Sequence, residues 1–475
     1  MFRKVLIANR GEIAVRLVRA LQDLGVASVA VYSADDAGAL HTRLADVAVP
    51  LAATGAAAYL DGPALVAVAR AQGCDALHPG YGFLSESAAF AQACADAGLA
   101  FIGPTPEQLA LFGDKARARA LAADCGVPLM PGLDHATSLA EAEAFFAEQA
   151  AQGAGMVIKA VAGGGGRGMR VVTQAGEVAS AWQRCTSEAE ASFGNGAVYV
   201  ERLMPRARHI EVQVLGDGRH AVSLGVRECT LQRRFQKLVE IAPSPTLTPA
   251  LRAQLEQAAL AMARRCGYRS LGTFEFLVDE QVGSILPFVF IEANPRLQVE
   301  HTVTEAVTGL DLVALQLQVA AGATLAQLGL AEDRPVPERG YAIQWRINAE
   351  TLDAEGNALP TGGTVRQLAW PSGPGVRVDA HAQAGAAPSP HFDSLLAKLI
   401  VHSPAPDFAA ALRRSQRALA ESAVGGVVTN LPLLRALAER PELARQQVHT
   451  RWLAEVLPEL LDAAKTRADS ALLAP

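Results

Sequence analysis

Apolar and polar positions alternate with two different periods in the opening stretch KVLIANRGEIAVRLVRALQDLGVASVAVY. Val5–Ala8 is a continuous apolar run, the pattern of a strand buried on both faces. Ile13, Leu17, Val18, Leu21 and Leu24 then recur at helical spacing, Gly25 marks the stop, and Ser28–Tyr32 is the next strand. Strand, helix, strand predicts a βαβ unit and a parallel sheet. The turn reads ANRGEIA rather than G-x-G-x-x-G, which disfavours a nicotinamide-binding domain. Short strands at Asp75–His78 and Ala100–Gly103 continue the pattern, and this first unit closes near residue 112.

Beyond it, the spacing predicts a helix within 113–131 that ends at the Pro/Gly break GVPLMPG. A helix (Ser138–Gln149), a strand (Met156–Ala160), a glycine loop (Gly163–Gly168), a strand (Met169–Thr173), a helix and a strand (Ala197–Glu201) make a small α/β unit. Residues 208–300 read as strands with one helix, Pro249–Cys266. A helix at 309–322 follows, then β structure from Tyr341 to Val401 and last helices at about 407–421 and 430–439.

One segment breaks the ordinary alternation. In FIEANPRLQVEH, residues 290–301, every second position from Glu292 is polar: Glu292, Asn294, Arg296, Gln298 and Glu300. Fully extended, that face would spread Glu292 and Glu300 by roughly 26 Å, too far for one small ligand. If these groups act together the chain bends inside the motif, and Pro295 is where pairing would break.

Bulk properties narrow the classes. The 475 residues suggest two to four domains, and a net charge of −6 argues against a broad nucleic-acid surface. Six scattered cysteines form no C-x-x-C pair, as expected of reduced thiols in the cytoplasm. The N-terminus does not resemble a signal peptide, and no apolar run reaches the ~18 residues of a membrane span.

Four motifs carry candidate chemistry. VIKAVAGGGGRGMRVV (157–172) sets a glycine-rich loop after a strand holding Lys159, which suits phosphate cradling by backbone N–H groups and a lysine. It is not a Walker loop, since no G-K-[ST] opens a helix; the loop is expected to close over nucleotide. In RHIEVQVLGDG (208–218), His209, Glu211 and Gln213 share a face that could equally be solvated. RECTLQRRFQKLVE (227–240) concentrates Arg227, Arg233, Arg234 and Lys237, which suits an anionic substrate. GTFEFLV (272–278) places Glu275 one hairpin before Glu292, so antiparallel pairing can bring the two carboxylates together. With Asn294 as a third oxygen donor, the set suits magnesium.

HPGYGFLSE (78–86), the GDK of Gly113–Lys115, KAVAGGGGRGMR (159–170), QRRFQK (232–237), GTFEFL (272–277), NPRLQVEH (294–301), RINAE (346–350) and FDSLLAKLI (392–400) together resemble the biotin carboxylase family of ATP-grasp enzymes. The resemblance implies an α/β ATP-grasp fold. Its parts are an N-terminal doubly wound parallel-sheet domain (1–112), linker helices with a small mobile lid (113–203), a core with the metal and bicarbonate site (204–330) and a β-rich C-terminal domain (331–475). It implies that bicarbonate and ATP give carboxyphosphate, which carboxylates biotin on a carrier.

By match, Lys115, Lys159, Gly165 and Gly166 would touch ATP phosphates. Glu201, Arg202, Leu203 and Met204 would flank the adenine, and His209 would contact the nucleotide. Glu275, Glu292 and Asn294 would hold Mg2+ or Mn2+. Lys237, Arg296, Gln298 and Val299 would bind bicarbonate, Glu300 would be the base, Arg346 would stabilise the biotin anion and Asp393 would support it. The implied partners are a biotin carboxyl carrier, a carboxyltransferase and a second or further copy of the chain, with neither nucleic acid nor membrane.

The sequence departs from the family at Phe235, where histidine is frequent, and at Ala162, Arg202, Ala293 and Pro295, and its 279–289 hairpin is longer. A different ATP-grasp ligase and a non-catalytic nucleotide-binding subunit are the competing readings; RLQVEH with Arg346 opposes the first, and the intact base and metal set the second.

Overall fold

The computed structural model describes residues 1–133, 135–161, 168–234, 236–280, 286–332, 334–353 and 356–465. Its first sheet is wholly parallel, in the order Val47–Pro50, Ala27–Tyr32, Lys4–Ile7, Ala76–His78, Ala100–Phe101. The strand order reverses between Lys4–Ile7 and Ala76–His78, so the turns that follow these two strands open side by side, as at the ligand crevices of doubly wound sheets. Asn9 locks them together, its Nδ2 donating to the carbonyls of Pro79 (2.7 Å) and Tyr81 (2.8 Å). Gly80, at φ +65°, is required there, because a Cβ would lie 2.8 Å from Asn9 Nδ2. The buried ring of His78 accepts the Gly80 N–H at its Nδ1 (3.0 Å). The helix Gly11–Asp23 buries Ile13, Leu17, Val18 and Leu21, the stripe its spacing predicts.

The middle unit is a three-stranded antiparallel sheet, ordered Met169–Val172, Met156–Ala160, Val198–Arg202. Helices Leu139–Ala151 and Val178–Phe193 cover it around Phe145, Phe146, Ile158 and Val200. Ser138 and Glu141 form a reciprocal cap at the start of the first helix.

An eight-stranded antiparallel sheet forms the body. Its order is Phe288–Asn294, Arg269–Asp279, Ala207–Asp217, Ala221–Arg233, Gln236–Ala242, Tyr341–Asn348, Leu395–Ser403, Val376–Ala380. One ladder therefore runs from the 208–300 region into the C-terminal strands, and Trp345, fully buried, sits in the core beneath the second half.

The structure adds helices to those expected. The helix placed at 309–322 is Leu312–Ala320, and a separate helix, His301–Thr308, precedes it at a bend of 101°. Gly309 at φ +74° ends His301–Thr308, and the Asp311 carboxylate caps Leu312–Ala320 through the Ala314 N–H (2.8 Å). Within 113–131 the helix is Lys115–Asp124, capped by Asp114 and preceded by a separate helix, Pro106–Gly113. A further helix, Trp452–Lys465, follows the two expected last; its Pro458 obscured the pattern, yet Trp452, Leu453, Leu457 and Leu460 are buried. All six cysteines are free, and among the described residues no single helix is long and apolar enough to cross a membrane.

Burial pushes the His78 imidazole down to about 3 from an ordinary 6.5. A ring kept neutral in the fold contributes stability above pH 6.5 that is lost as the pH falls towards 3. Thermal unfolding midpoints should therefore drop between pH 6.5 and 4. His78→Asn, whose carbonyl can still accept from Gly80, should show a shallower acid slope; an unchanged slope would remove His78 from the account.

Candidate active site

Strand register assembles a row of charges. Glu292 pairs with Glu275, Glu275 with Glu211, and Glu211 with Arg227, across four neighbouring strands. Directly opposed side chains stand about 5 Å apart, so three acids in such a row repel unless cations lie among them. Glu211, Glu275 and Arg227 are buried, which rules out the solvated-face reading of His209, Glu211 and Gln213. Arg227 closes the end of the row, donating to Glu211 Oε2 (3.1 Å), Gln213 Oε1 (2.6 Å), Thr273 Oγ1 (2.9 Å) and Thr304 Oγ1 (3.1 Å).

Lys237 is the central cation. Its ammonium contacts Glu211 and donates to Glu275 Oε1 (3.0 Å) and Glu300 Oε1 (2.8 Å). Glu275 also accepts from His209 Nε2 (2.7 Å), Asn294 Nδ2 (2.7 Å) and Gln298 Nε2 (3.3 Å). Of the basic run read from the sequence, Arg227 and Lys237 are thus neutralised by acids of the same sheet, while Arg233 pairs with Glu350 (3.4 Å) on the strand Glu350–Leu352.

These contacts divide the carboxylates. Burial, the largest influence, pushes Glu211 up to about 7 against the pull of Lys237. Burial also opposes ionisation of Glu275, but Lys237 and His209 overcome it and hold that carboxyl well below the usual range. Glu300 is held low in the same way, by Lys237, Arg346 and Arg227 against burial. Glu292 is raised, by burial and then by Glu275, with Lys115 only partly opposing.

The polar face of FIEANPRLQVEH does bend. The strand stops at Asn294, Arg296 N–H turns back to the Asn294 carbonyl (2.9 Å), and a helix begins at His301. Glu300 thereby comes to lie, fully buried, between Lys237 and Arg346, whose Nη2 is 3.2 Å from Glu300 Oε2. Arg296 reaches Glu86 (2.5 Å), Gln298 Oε1 (3.0 Å) and Asn294 Oδ1 (3.1 Å). Arg346 is anchored by Glu240, which also accepts from Gln344 Nε2 (2.9 Å).

On the far side of the row, Lys115 borders a cavity of about 320 Å³ together with Glu292, Asn294, Arg296 and Glu86. Lys159 pairs with Glu201, whose other oxygen takes Arg119 Nη1 (2.7 Å). The strip after Glu201 is pinned by its backbone: Arg202 N–H donates to Pro131 (2.8 Å) and Leu203 N–H to Gly155 (2.9 Å). Met204 is half-buried and Arg202 reaches Gln152 (3.2 Å). Asp393 is exposed and caps the Leu395 N–H (2.7 Å) at the rim. Gly165, Gly166, Ala162 and Phe235 lie outside the described residues, as do positions 281–285 of the 279–289 hairpin.

Ligand atoms of His209, Glu211 and Glu275 lie within 4.8 Å of one another, but Lys237 and Arg227 already occupy Glu211. Glu275 and Glu292 keep a mutual repulsion that a cation would relieve, and two carboxylates are hard oxygen donors that fit magnesium; Asn294, whose Nδ2 faces Glu275 and whose Oδ1 faces Arg296, would add its oxygen with the amide reversed. Sequence reasoning passed over Glu86, Arg119 and Glu240; the last was detectable as an acid inside the apolar run KLVEIA, where burial demands a partner.

Comparison with known proteins covers nearly the whole chain. Residues 1–109 match the biotin carboxylase N-terminal domain, 114–328 the carbamoyl-phosphate synthase L chain ATP binding domain, and 344–455 the biotin carboxylase C-terminal domain. Biotin carboxylase of Nostoc sp. is 44% identical over 458 residues, covering 96% of this chain and 99% of that protein. Mitochondrial pyruvate carboxylase of Mus musculus is 46% identical over 99% of this chain, which spans 39% of that relative's length. The biotin carboxylase domain dimer of Hydrogenobacter thermophilus 2-oxoglutarate carboxylase, solved with MgADP, ADP and bicarbonate, has a TM-score of 0.90 at 39% identity, covering 97% of this chain and 99% of that one.

Glu292→Gln should separate repulsion from metal binding. Without nucleotide or divalent ions it should raise the thermal midpoint, because a neutral amide replaces a carboxyl whose ionised form the site disfavours. The same variant should lose the magnesium-dependent part of the thermal shift given by ADP. Differential scanning calorimetry reads both, and a destabilised metal-free variant would contradict the repulsion.

Proposed function

The chain belongs to the biotin carboxylase family, and from that premise we propose how its residues divide the work of carboxylating biotin with bicarbonate and ATP. It is an ATP-dependent ligase of ATP-grasp fold that acts on biotin, with ATP, magnesium and bicarbonate as the other participants. The observation that carries the assignment is Glu300, a buried carboxylate between Lys237 and Arg346 at the end of a bent polar strand.

Bicarbonate is a poor nucleophile. As one of its oxygens attacks the γ-phosphorus of ATP and ADP leaves, its remaining proton must go to a base within reach. Glu300 is that base. Ion-paired as it stands, it is a weak one. An arriving bicarbonate shares the cations Lys237 and Arg296, and this competition raises the proton affinity of Glu300 at the moment it is needed. Gln298 and the Val299 backbone complete the clamp, and the pre-placed cations meet the developing charge without reorganisation.

Lys115, Lys159, Gly165 and Gly166 take the nucleotide phosphates, which draws Lys159 away from Glu201. Residues Glu201, Arg202, Leu203 and Met204 flank the base, and His209 orients from beneath. Glu275, Glu292 and Asn294 would hold magnesium, which when bound supplies charge neutralisation to the phosphates. Arg346, always charged and braced by Glu240, stabilises the ureido anion of biotin, with Asp393 at the rim.

We also propose the four-part division at 112, 203 and 330, a biotin carrier and a carboxyltransferase as partners, and a homodimer or larger oligomer, for which the dimeric Hydrogenobacter domain is support. The partner carboxyltransferase selects the acyl acceptor. Free cysteines support a reducing compartment such as the cytoplasm.

The deciding assay is ADP release with and without bicarbonate and free biotin; release indifferent to bicarbonate would end the reading. Glu300→Gln should leave ATP binding within about twofold while lowering turnover by roughly 100-fold or more, the range of a lost general base. Arg346→Lys should impair carboxybiotin formation more than bicarbonate-dependent ADP release. Parallel loss of both would argue against its role on biotin.

A further inference from the structure

Lys398 is a fully buried lysine in FDSLLAKLI for which the reaction so far has no use. It lies on the strand Leu395–Ser403, with Arg346 opposite on one neighbouring strand and Asp379 on the other. Two cations side by side on one face repel, so each requires its own acids. Arg346 has Glu240 and Glu300. Lys398 has Glu12, its Nζ 3.0 Å from Glu12 Oε1, with Asp379 beside it. Glu12, in the first turn of the helix Gly11–Asp23, is held in turn by the Tyr81 hydroxyl.

The same ammonium donates to the backbone carbonyl of Val299 at 3.0 Å. That carbonyl belongs to the peptide joining Val299 to Glu300. The preceding carbonyl, of Gln298, is taken by His301 Nδ1 at 2.7 Å. Both carbonyls of the bend therefore point into the protein, and Glu300 keeps the backbone angles φ −85° and ψ 7° that send its carboxylate towards Lys237 and Arg346. No regular strand pairing holds this bend, since the strand ends at Asn294.

We infer that Lys398 is a positioning residue for the proton-abstraction step: from behind the site it fixes the Val299–Glu300 peptide plane and so aims the Glu300 carboxylate. It touches neither nucleotide nor bicarbonate, and its action depends on the reading of Glu300 as base. A shift of about 1 Å in a reacting group can lower a rate about 100-fold, which is the scale such a support controls.

The test compares variants that break the same ion pair in different ways. Lys398→Met removes the carbonyl donor; Glu12→Gln keeps it and removes only the acid. Both should lower the thermal midpoint. Lys398→Met should lower kcat for bicarbonate-dependent ADP release at least tenfold with the KM for ATP within twofold. Glu12→Gln should keep kcat within twofold. Lys398→Arg retains the charge for Glu12 and Asp379 but replaces the compact ammonium; it should fold even if the methionine variant does not, and show the same loss of kcat at unchanged KM for ATP.

Turnover retained in a folded Lys398 variant, or lost equally in Glu12→Gln, would overturn the inference while leaving Glu300 in place. Turnover retained in Glu300→Gln would overturn the base assignment and this inference with it.

Discussion

The ammonium of Lys237 among the carboxylates of Glu211, Glu275 and Glu300 is the contact on which the rest of the site depends. Antiparallel register forces acids into adjacent positions, and burial makes their repulsion expensive. Lys237 and Arg227 balance that charge before any substrate arrives. In the proposed mechanism an entering anion competes for cations already in place, so one arrangement keeps Glu300 ionised at rest and lets it accept a proton when bicarbonate arrives.

No single part of the chain contains the site. The row of acids stands on the strands of residues 207–294, while Arg346, Glu240 and Lys398 come from the other half of the same eight-stranded sheet. Glu86 reaches in from a loop of the parallel-sheet unit, and Glu12, on its first helix, stands behind the site against Lys398. The ladder matters because it holds these groups on adjacent strands; the bend after Asn294 leaves it, and Lys398 and Glu86 support that bend with side-chain contacts.

The nucleotide side is organised by a second acid. Glu201 gathers Lys159 and Arg119, and the segment bridged to it packs without clearance: a Cβ at Gly132 would lie 2.5 Å from the Val200 carbonyl. On the proposed assignment, phosphates offered to Lys159 compete with Glu201, much as bicarbonate competes with Glu300. Both halves of the site hold their cations on acids.

Much of this was legible in the chain alone. Apolar runs and helical stripes identified the parallel sheet, since Val5–Ala8 and Ile13–Leu24 carry their periods locally, and the pairing of Glu275 with Glu292 followed from one hairpin. The unseen helices at 301 and 452 lay where a glycine and a proline blurred the period. What the sequence determined by itself was which residues carry charge and which strand faces they share, because side-chain alternation is a property of neighbouring residues. The tertiary structure decided which charges meet. Glu240 with Arg346, Glu12 with Lys398, and Lys398 with the Val299 carbonyl join residues far apart in the chain, and their partnership follows from sheet order and burial, which no local period encodes.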